Sequence, residues 1–400
     1  MLVVQKYGGT SVGTLDRIDA VAKRVAKTKE AGHDVIVVVS AMSGETNKLI
    51  DYAKHFSKSP KQREMDMLLS SGERVTSSLL AIALSEIGSL AVALSGGQAG
   101  IKTDNSHTKA RIESIDRTCI EKIIKKGSIA VIAGFQGITE LGEVSTLGRG
   151  GSDLSAVAIA GALEADLCEI YTDVDGIYTT DPRIEPKAKK LEKISYDEML
   201  ELASLGANVL QTRSVEMAKK LNVNLVTRNS FNDNEGTLIT KEENIMEQPL
   251  VSGVVLDKNQ ARITLRGVID KPGIAAEIFR KLSKTDINVD MIIQNVGQDG
   301  TTNLGFTVPQ NELEIARNAM KSLNASKSVE YDSDIIKVSI VGVGMKSHSG
   351  VACTAFDTLF KEGINLEMIS TSEIKISIVI LAKYGELAVR ALHAAYKLDK

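Results

Sequence analysis

Thr146-Leu147-Gly148-Arg149-Gly150-Gly151-Ser152-Asp153 places three glycines around one arginine, one serine and one aspartate, directly ahead of an apolar helical run. Backbone N–H groups of such a turn, with the unpaired amides of the helix that begins near Asp153, direct partial positive charge at one point. Arg149 adds a fixed charge on a planar fork that suits a carboxylate or a phosphate. Two readings follow: an anion-binding loop, or a plain strand-to-helix turn with Ser152 as N-cap. A second glycine turn, Gly8-Gly9, directs attention to the first.

Around this loop, residues 1 to about 240 alternate short β-branched runs with amphipathic stretches, the pattern of a mostly parallel sheet covered by helices on both faces. Strands are predicted at Leu2 to Gln5, Val35 to Val39, Ala91 to Leu94, Ile129 to Ala133, Leu167 to Tyr171 and Asn224 to Val226. A helix is predicted over Asp16 to Ala31, with Ile18, Val21, Ala22 and Val25 on one face and Gly32 beyond its end. In an open α/β sheet the ligand lies beyond the carboxyl ends of the strands. Lys6, Gly8, Gly9, Thr10 and Ser11 follow the first strand; Ser40, Gly44 and Thr46 the second; Ser95 to Gly97 the third; Gly134 to Gly137 the fourth; Thr172 to Arg183 the fifth.

Composition narrows the function. Lysine and arginine total 48 against 51 aspartate and glutamate, a net charge of −3, which offers no basic surface for nucleic acid. Three cysteines stand apart with no CxxC pair, and the five histidines show no HxxxH spacing, so a reducing, cytoplasmic setting without a protein-held metal is expected. Neither a cleavable leader nor an apolar run long enough to span a bilayer is read. No GxxxxGK[ST] exists, and Gly342-Val343-Gly344-Met345-Lys346-Ser347 lacks the last glycine of a dinucleotide fingerprint. Asp173 and Asp175 are followed too early by glycine for a calcium loop.

From about residue 250 the chain repeats itself at an offset of 77, the distance from Gly273 to Gly350. Ile274 meets Val351, Ala275 meets Ala352, Phe279 meets Phe356, Leu282 meets Leu359, Ile287-Asn288 meets Ile364-Asn365, and Met291-Ile292 meets Met368-Ile369. Each copy reads as strand, glycine turn, helix and strand, so a pair of like α+β domains is expected. Asn232 to Gln248, with Pro249 beyond, reads as the linker.

Lys6-Tyr7-Gly8-Gly9-Thr10-Ser11-Val12-Gly13, Ser71-Gly72-Glu73-Arg74, the Gly148 to Asp153 loop and Thr172 to Arg183 together resemble the aspartokinase family, and the tandem repeat resembles that family's paired ACT domains. The resemblance covers essentially the whole chain. It implies an amino-acid-kinase sheet with helices on both faces over residues 1–245, and two ferredoxin-like ACT domains over 250–328 and 335–400, with strand exchange between them possible. It implies transfer of the γ-phosphoryl group of Mg-ATP to the side-chain carboxylate of L-aspartate, a step toward lysine, threonine and methionine.

By the same resemblance Lys6 faces the transferring phosphoryl group and Asp153 orients it. Ser40, Thr46, Glu73, Arg149 and Ser152 would hold aspartate, with Glu73 on its ammonium. Gly8, Gly9, Thr172, Asp173, Tyr178, Arg183 and Asn208 would hold ATP. Lysine or threonine would bind at Asp270, Gly273, Ile274, Ala275, Asn288 and Asp290 in the first ACT copy, and at Val351, Ala352, Asn365 and Leu366 in the second. A homo-oligomer, or assembly with a shorter regulatory chain started near Met246, is implied.

One position departs from the family pattern: Asn208 stands where a lysine is normal, so a charge is missing from the nucleotide side. Either ATP binds more weakly, a cation such as Arg213 compensates, or the chain is a catalytically weak regulatory relative. If the missing charge matters, Asn208→Lys restores a charge-assisted contact of about 1.5–3 kcal/mol. That corresponds to about tenfold or more in kcat/KM for ATP, with aspartate use unchanged. Steady-state kinetics with ATP varied at saturating aspartate measure it; compensation by Arg213 predicts no gain.

Overall fold

The computed structural model describes residues 1–206, 209–245, 250–285, 287–296, 300–321, 326–346, 348 and 350–400. Asn208, Met246 and Pro249 therefore lie outside the described residues. The chain forms two compact units: Met1–Ile177 with Lys190–Glu247, and Tyr178–Lys189 with Gln248–Lys400. Among the described residues, no helix is long and apolar enough to cross a membrane.

In the first unit the main sheet has eight strands among the described residues. Their order is Lys193–Ser195, Thr237–Thr240, Leu225–Asn229, Leu167–Thr172, Leu2–Tyr7, Asp34–Val39, Ile129–Ala133 and Ala91–Leu94. All neighbours run parallel except Leu225–Asn229 with Thr237–Thr240. Leu2–Tyr7 lies between Asp34–Val39 on one side and Leu167–Thr172 on the other. The strand order thus reverses at the first strand, which opens a crevice at its carboxyl end.

Alternation along that strand decides what faces the crevice. Tyr7 joins the core formed with Val21, Val25, Val37, Leu80 and Val131, and its ring stacks on Tyr171 at 4.7 Å. Lys6, one residue earlier, points to the opposite face, where the helix Gly151–Ala162 lies. That helix buries every residue from Gly151 to Ala160, so its apolar composition continues around its whole circumference. The predicted first helix is observed as Leu15–Glu30, with Thr14 accepting from the Arg17 N–H as N-cap and Gly32 at φ 87° beyond its end.

A second, small sheet orders Ile112–Ile115, Ile101–Thr103, Gln136–Thr139 and Val144–Thr146. Its strands are three or four residues long and carry threonine, serine and glutamine, too short to show a hydrophobic period. This sheet delivers Thr146 to the start of the glycine loop.

Among the described residues the second unit contains two four-stranded antiparallel sheets. The first orders Ile292–Val296, Thr301–Val308, Ala261–Ile269 and Ser328–Asp332, with helices Ile274–Ser283 and Leu313–Met320. The second orders Met368–Thr371, Lys375–Leu381, Ile335–Val341 and Gly253–Asp257, with helices Val351–Lys361 and Gly385–Ala395. Gly253–Asp257 precedes the first copy in the chain yet fills the edge of the second copy's sheet, the position that Ser328–Asp332 fills in the first. The segment Tyr178–Lys189, which interrupts the first unit's sequence, also joins this unit: the Thr179 carbonyl accepts from the Val254 N–H at 2.8 Å, and Ile184 packs on the second copy's core.

The internal repeat extends to charge. Arg262 and Lys337 occupy matching places on the first strand of each copy, opposite Asp332 and Asp257 on the added edge strands. Each cation also reaches across to the other copy: Arg262 Nη1 pairs with Glu367 at 2.8 Å, and Lys337 pairs with Asp290. Asp290 and Glu367 are themselves related by the 77-residue offset. The Lys337 side chain is 2% exposed and that of Arg262 22%.

The Lys337 ammonium is buried, but its acids Asp257 and Asp290 are 19% and 40% exposed and stay partly hydrated without it. Lys337→Met therefore lowers the unfolding free energy by about 2 kcal/mol, between the costs of a surface pair and of a fully buried one. Arg262→Met, at a wetter site, costs about 1 kcal/mol. Denaturant titration of the full chain measures both, and equal costs would contradict the burial argument.

Candidate active site

The ends of the strands Leu2–Tyr7, Asp34–Val39 and Leu167–Thr172, the Gly134-Phe135 turn and the Gly148–Asp153 loop enclose a cleft of about 480 Å³. Its lining includes Lys6, Gly8, Gly9, Ser40, Thr46, Glu73, Arg149, Ser152, Asp153 and Thr172. These ten expected residues come from positions as far apart in sequence as 6 and 172. Thr10, Ala41 to Gly44 and Phe135 also line it. Phe135 lies in the Gly134 to Gly137 turn expected on this rim, whereas Met42 was not read from the sequence, since no polar chemistry marks it.

At the floor, Lys6 Nζ and Asp153 Oδ1 stand 2.5 Å apart, with side chains only 10% and 11% exposed. The Gly8-Gly9 turn fits tightly beside them. A Cβ at Gly8 would meet Lys6 Nζ at 3.4 Å, and one at Gly9 would meet the Ala41 carbonyl at 3.1 Å. The Gly8 N–H donates to the Tyr171 carbonyl, which ties the turn to the neighbouring strand.

The helix Gly151–Ala162 is capped by Gly150 in the left-handed conformation, φ 72°, and not by Ser152. Glycine offers no capping side chain, so the N-cap itself leaves the first-turn amides beside the cleft without a side-chain acceptor. Gly150 and Gly151 have steric reasons as well. Added Cβ atoms would meet Gln211 Cγ at 2.1 Å and Leu147 and Phe135 carbons at 2.9 Å. Arg149 is exposed at the cleft with no ion-pair partner among the described residues. Arg213, a candidate compensating cation, is committed elsewhere: its guanidinium donates to the Leu147 carbonyl at 2.6 Å and the Ala110 carbonyl at 3.2 Å.

Glu73 projects from the long helix Gln62–Glu86 and is 3% exposed. Gly72 lets that helix approach, since a Cβ there would lie 2.8 Å from the Ala41 side chain. Glu73 Oε1 accepts from the Ala41 N–H at 3.1 Å, while Oε2 is buried with no hydrogen-bond partner among the described residues. Burial pushes its carboxyl up to about 7 against the pull of its backbone hydrogen bonds. An unsatisfied buried carboxylate oxygen facing a cleft is a receptor for a cation.

On the fifth-strand side, Thr172 Oγ1 donates to Asp173 at 3.2 Å in an exposed turn. Asp175 accepts from Asn229 and Asn232, which hold its carboxyl below the usual range. Tyr178 and Arg183 belong to the second unit, where Arg183 pairs with Asp181 at 2.7 Å. Asn208 is outside the described residues.

In the second unit, Gly273 and Gly350 cap their helices in the left-handed conformation, φ 91° and 100°. Asp270, Asn288 and Asn365 are exposed, Ile274 is buried, and Ala275 and Leu366 are half-buried. Asp290, one of the acids expected at the effector site together with Asp270, is paired with Lys337. Val351 and Ala352 line a cleft of about 550 Å³ with Gly350, Thr371, Ser372 and Glu373. Asn365 and Leu366 are not part of that lining.

The profile of the Amino acid kinase family matches residues 1–229, and that of the ACT domain matches 263–322 and 338–396. The sequence is 60% identical over 405 residues to an aspartokinase of Helicobacter pylori strain J99, covering all of both chains. It is 55% identical to an aspartate kinase of Pseudomonas putida, covering all of this chain and 98% of the relative. Among solved structures it resembles E. coli aspartokinase III with aspartate and ADP in an R-state, at 25% identity, TM-score 0.82 and 99% coverage of both chains. It also resembles the same enzyme with lysine and aspartate in a T-state, at TM-score 0.79, 25% identity, and 98% and 99% coverage.

The raised Glu73 carboxyl has a definite sign in pH. Protonated Glu73 cannot pair with an ammonium, so below about pH 7 a zwitterionic amino-acid ligand should bind more weakly, about tenfold per pH unit. For stability the sign is opposite. The folded state holds the proton more tightly than the unfolded chain, so this group's favourable contribution is lost as pH rises through 7. Glu73→Gln should therefore raise Tm at pH 8 while abolishing amino-acid affinity, as calorimetry and ligand titration would show; a lower Tm at pH 8 would refute the burial cost.

Proposed function

The chain belongs to the amino acid kinase family, among its aspartokinases, and from that premise we propose that it transfers the γ-phosphoryl group of ATP to the side-chain carboxylate of L-aspartate, giving 4-phospho-L-aspartate. The observation that carries this reading is the pairing of Lys6 and Asp153 in a cleft that also holds an arginine and a buried glutamate oxygen with no protein partner among the described residues. Aspartate has one ammonium and two carboxylates. Glu73 suits the ammonium, Arg149 and Ser152 suit the α-carboxylate, and Ser40 and Thr46 add hydroxyls beside them.

The reacting carboxylate is ionised at neutral pH, with an unperturbed pKa near 3.9, so no general base is needed. What the reaction needs is neutralisation of an anionic nucleophile against a polyphosphate. Lys6 supplies a cation at the strand end, and Asp153 holds its ammonium in place. Gly8 and Gly9 let main-chain N–H groups approach phosphate oxygens, and Thr172, Asp173, Tyr178, Arg183 and Asn208 are assigned to the nucleotide. Magnesium would come with the nucleotide, on its phosphates, as part of the substrate.

The ACT pair is assigned feedback inhibition by lysine, threonine or both, which makes this step a control point toward lysine, threonine and methionine. E. coli aspartokinase III, solved with lysine and aspartate in a T-state, supports lysine as one effector. Inhibition requires an effector to prefer one conformation, since equal affinity for two states shifts nothing. The full-length aspartokinase relatives give no support to a catalytically weak regulatory chain.

An aspartate-dependent ADP-release assay tests the reading, with lysine and threonine added singly and together. Lys6→Ala and Asp153→Ala should each lower kcat by about 10²–10³-fold while the chain stays folded. Turnover that does not depend on aspartate, or either variant near the wild-type rate, would defeat the assignment.

A further inference from the structure

Asp66 lies on the helix Gln62–Glu86, seven residues and two turns before Glu73, and is completely buried. It does not line the cleft. Its carboxylate accepts from the Thr146 hydroxyl at 2.5 Å, from the Thr108 N–H at 3.0 and 3.1 Å, and interacts with His107 Nδ1 at 2.7 Å. Burying a carboxylate is costly, and its partners here are not core-forming groups. They are the first residue of the glycine loop and the turn that lies against it.

That turn is built for the contact. Asp104 closes it by accepting from the Ser106 and Arg111 N–H groups, and Thr108 takes the left-handed conformation at φ 66°. The Ala110 N–H donates to the Thr146 carbonyl at 2.9 Å, and a Cβ on Gly148 would lie 3.2 Å from the Thr108 carbonyl. Thr146 is thus held through its side chain by Asp66 and through its carbonyl by the turn, and Arg213 holds the Leu147 carbonyl. Two residues on, the chain reaches Arg149 with only Gly148, at φ 77°, between it and the clamped segment.

We propose that Asp66 is a positioning residue for the aspartate site. By fixing Thr146 and the 104–111 turn, it sets the glycine loop so that the Arg149 guanidinium meets the substrate's α-carboxylate. This rests on the proposed function, because Arg149 is assigned there to aspartate. One helix then serves the substrate twice: Glu73 receives the ammonium directly, and Asp66 acts on the carboxylate through the loop. The nucleotide side, formed by other loops, is not held by this clamp.

The test is titration of L-aspartate into full-length protein by calorimetry, with KM for ATP measured in parallel. Asp66→Asn keeps the shape but removes the charge and one of the two acceptor oxygens that Thr146, His107 and the Thr108 N–H share; Thr146→Val keeps the shape and removes only the hydroxyl. Both should weaken aspartate binding, by about tenfold and about three- to tenfold, with KM for ATP within twofold of wild type. Adding either substitution to Arg149→Ala should weaken aspartate binding no further, the signature of action through Arg149. Should Asp66→Asn fail to fold, Thr146→Val and its double variant decide alone. Aspartate affinity within twofold of wild type in the folded variants, equal losses on aspartate and ATP, or additive double variants would each overturn the inference. If wild-type protein binds no aspartate, the proposed function falls and this inference with it; if wild type binds normally and the variants do too, only this inference falls.

Discussion

The buried contact between Lys6 and Asp153 is the constraint on which the cleft depends. A lysine at the end of a central strand and an aspartate in the first turn of an apolar helix would each be expensive alone. Together they cancel most of that cost, though a buried pair seldom adds net stability over apolar residues of the same size. Such a pair is better understood through what it points at. The strand order reverses at Leu2–Tyr7, so the crevice opens where Lys6 ends, and the glycines on both sides exist so that backbone can approach it.

Around this pair the cleft is electrostatically unfinished. Arg149 has no carboxylate partner among the described residues, and Glu73 keeps one oxygen without a donor and an elevated carboxyl. Under the proposed function, Glu73 would receive the ammonium of aspartate and Arg149 its α-carboxylate. On that reading specificity would be held as unsatisfied charge that a ligand with complementary groups relieves.

The C-terminal unit solves a different problem. Two copies of one module face each other with cations on equivalent strand positions, each reaching an acid of the other copy. The edge strand Gly253–Asp257 crosses from one copy to the other, and the Tyr178–Lys189 segment joins the same unit through Thr179, whose hydroxyl is hydrogen-bonded to the buried His393 at 2.9 Å. A pair tied by a shared strand and reciprocal ion pairs has the mechanical continuity that a regulatory body requires.

Much of this was legible in the chain itself. Six strands of the main sheet were readable, because a buried parallel strand writes itself as a β-branched run, and the first helix was marked by its stripe and its terminal glycine. The glycine turns, Lys6, Arg149 and Asp153 announced themselves as charge beside glycine-rich backbone, Glu73 was marked only by the family resemblance, and the repeat betrayed the duplicated module. Other features had no local signature. The four short strands that carry Thr146 have no period to read, Asp66 looks like any acid on an amphipathic helix, and Ser152 reads as a natural cap until Gly150 is seen to take that place. Asp290 read as an open acceptor because its partner Lys337 lies in the other copy, and Arg213 as a spare cation because the carbonyls it binds are distant in sequence. Sequence determined the elements and the residue chemistry, since both arise from neighbours a few positions apart. Which charges are spent on one another and which are left for a ligand was decided only in three dimensions, because pairing depends on atoms that the fold alone brings within 3 or 4 Å.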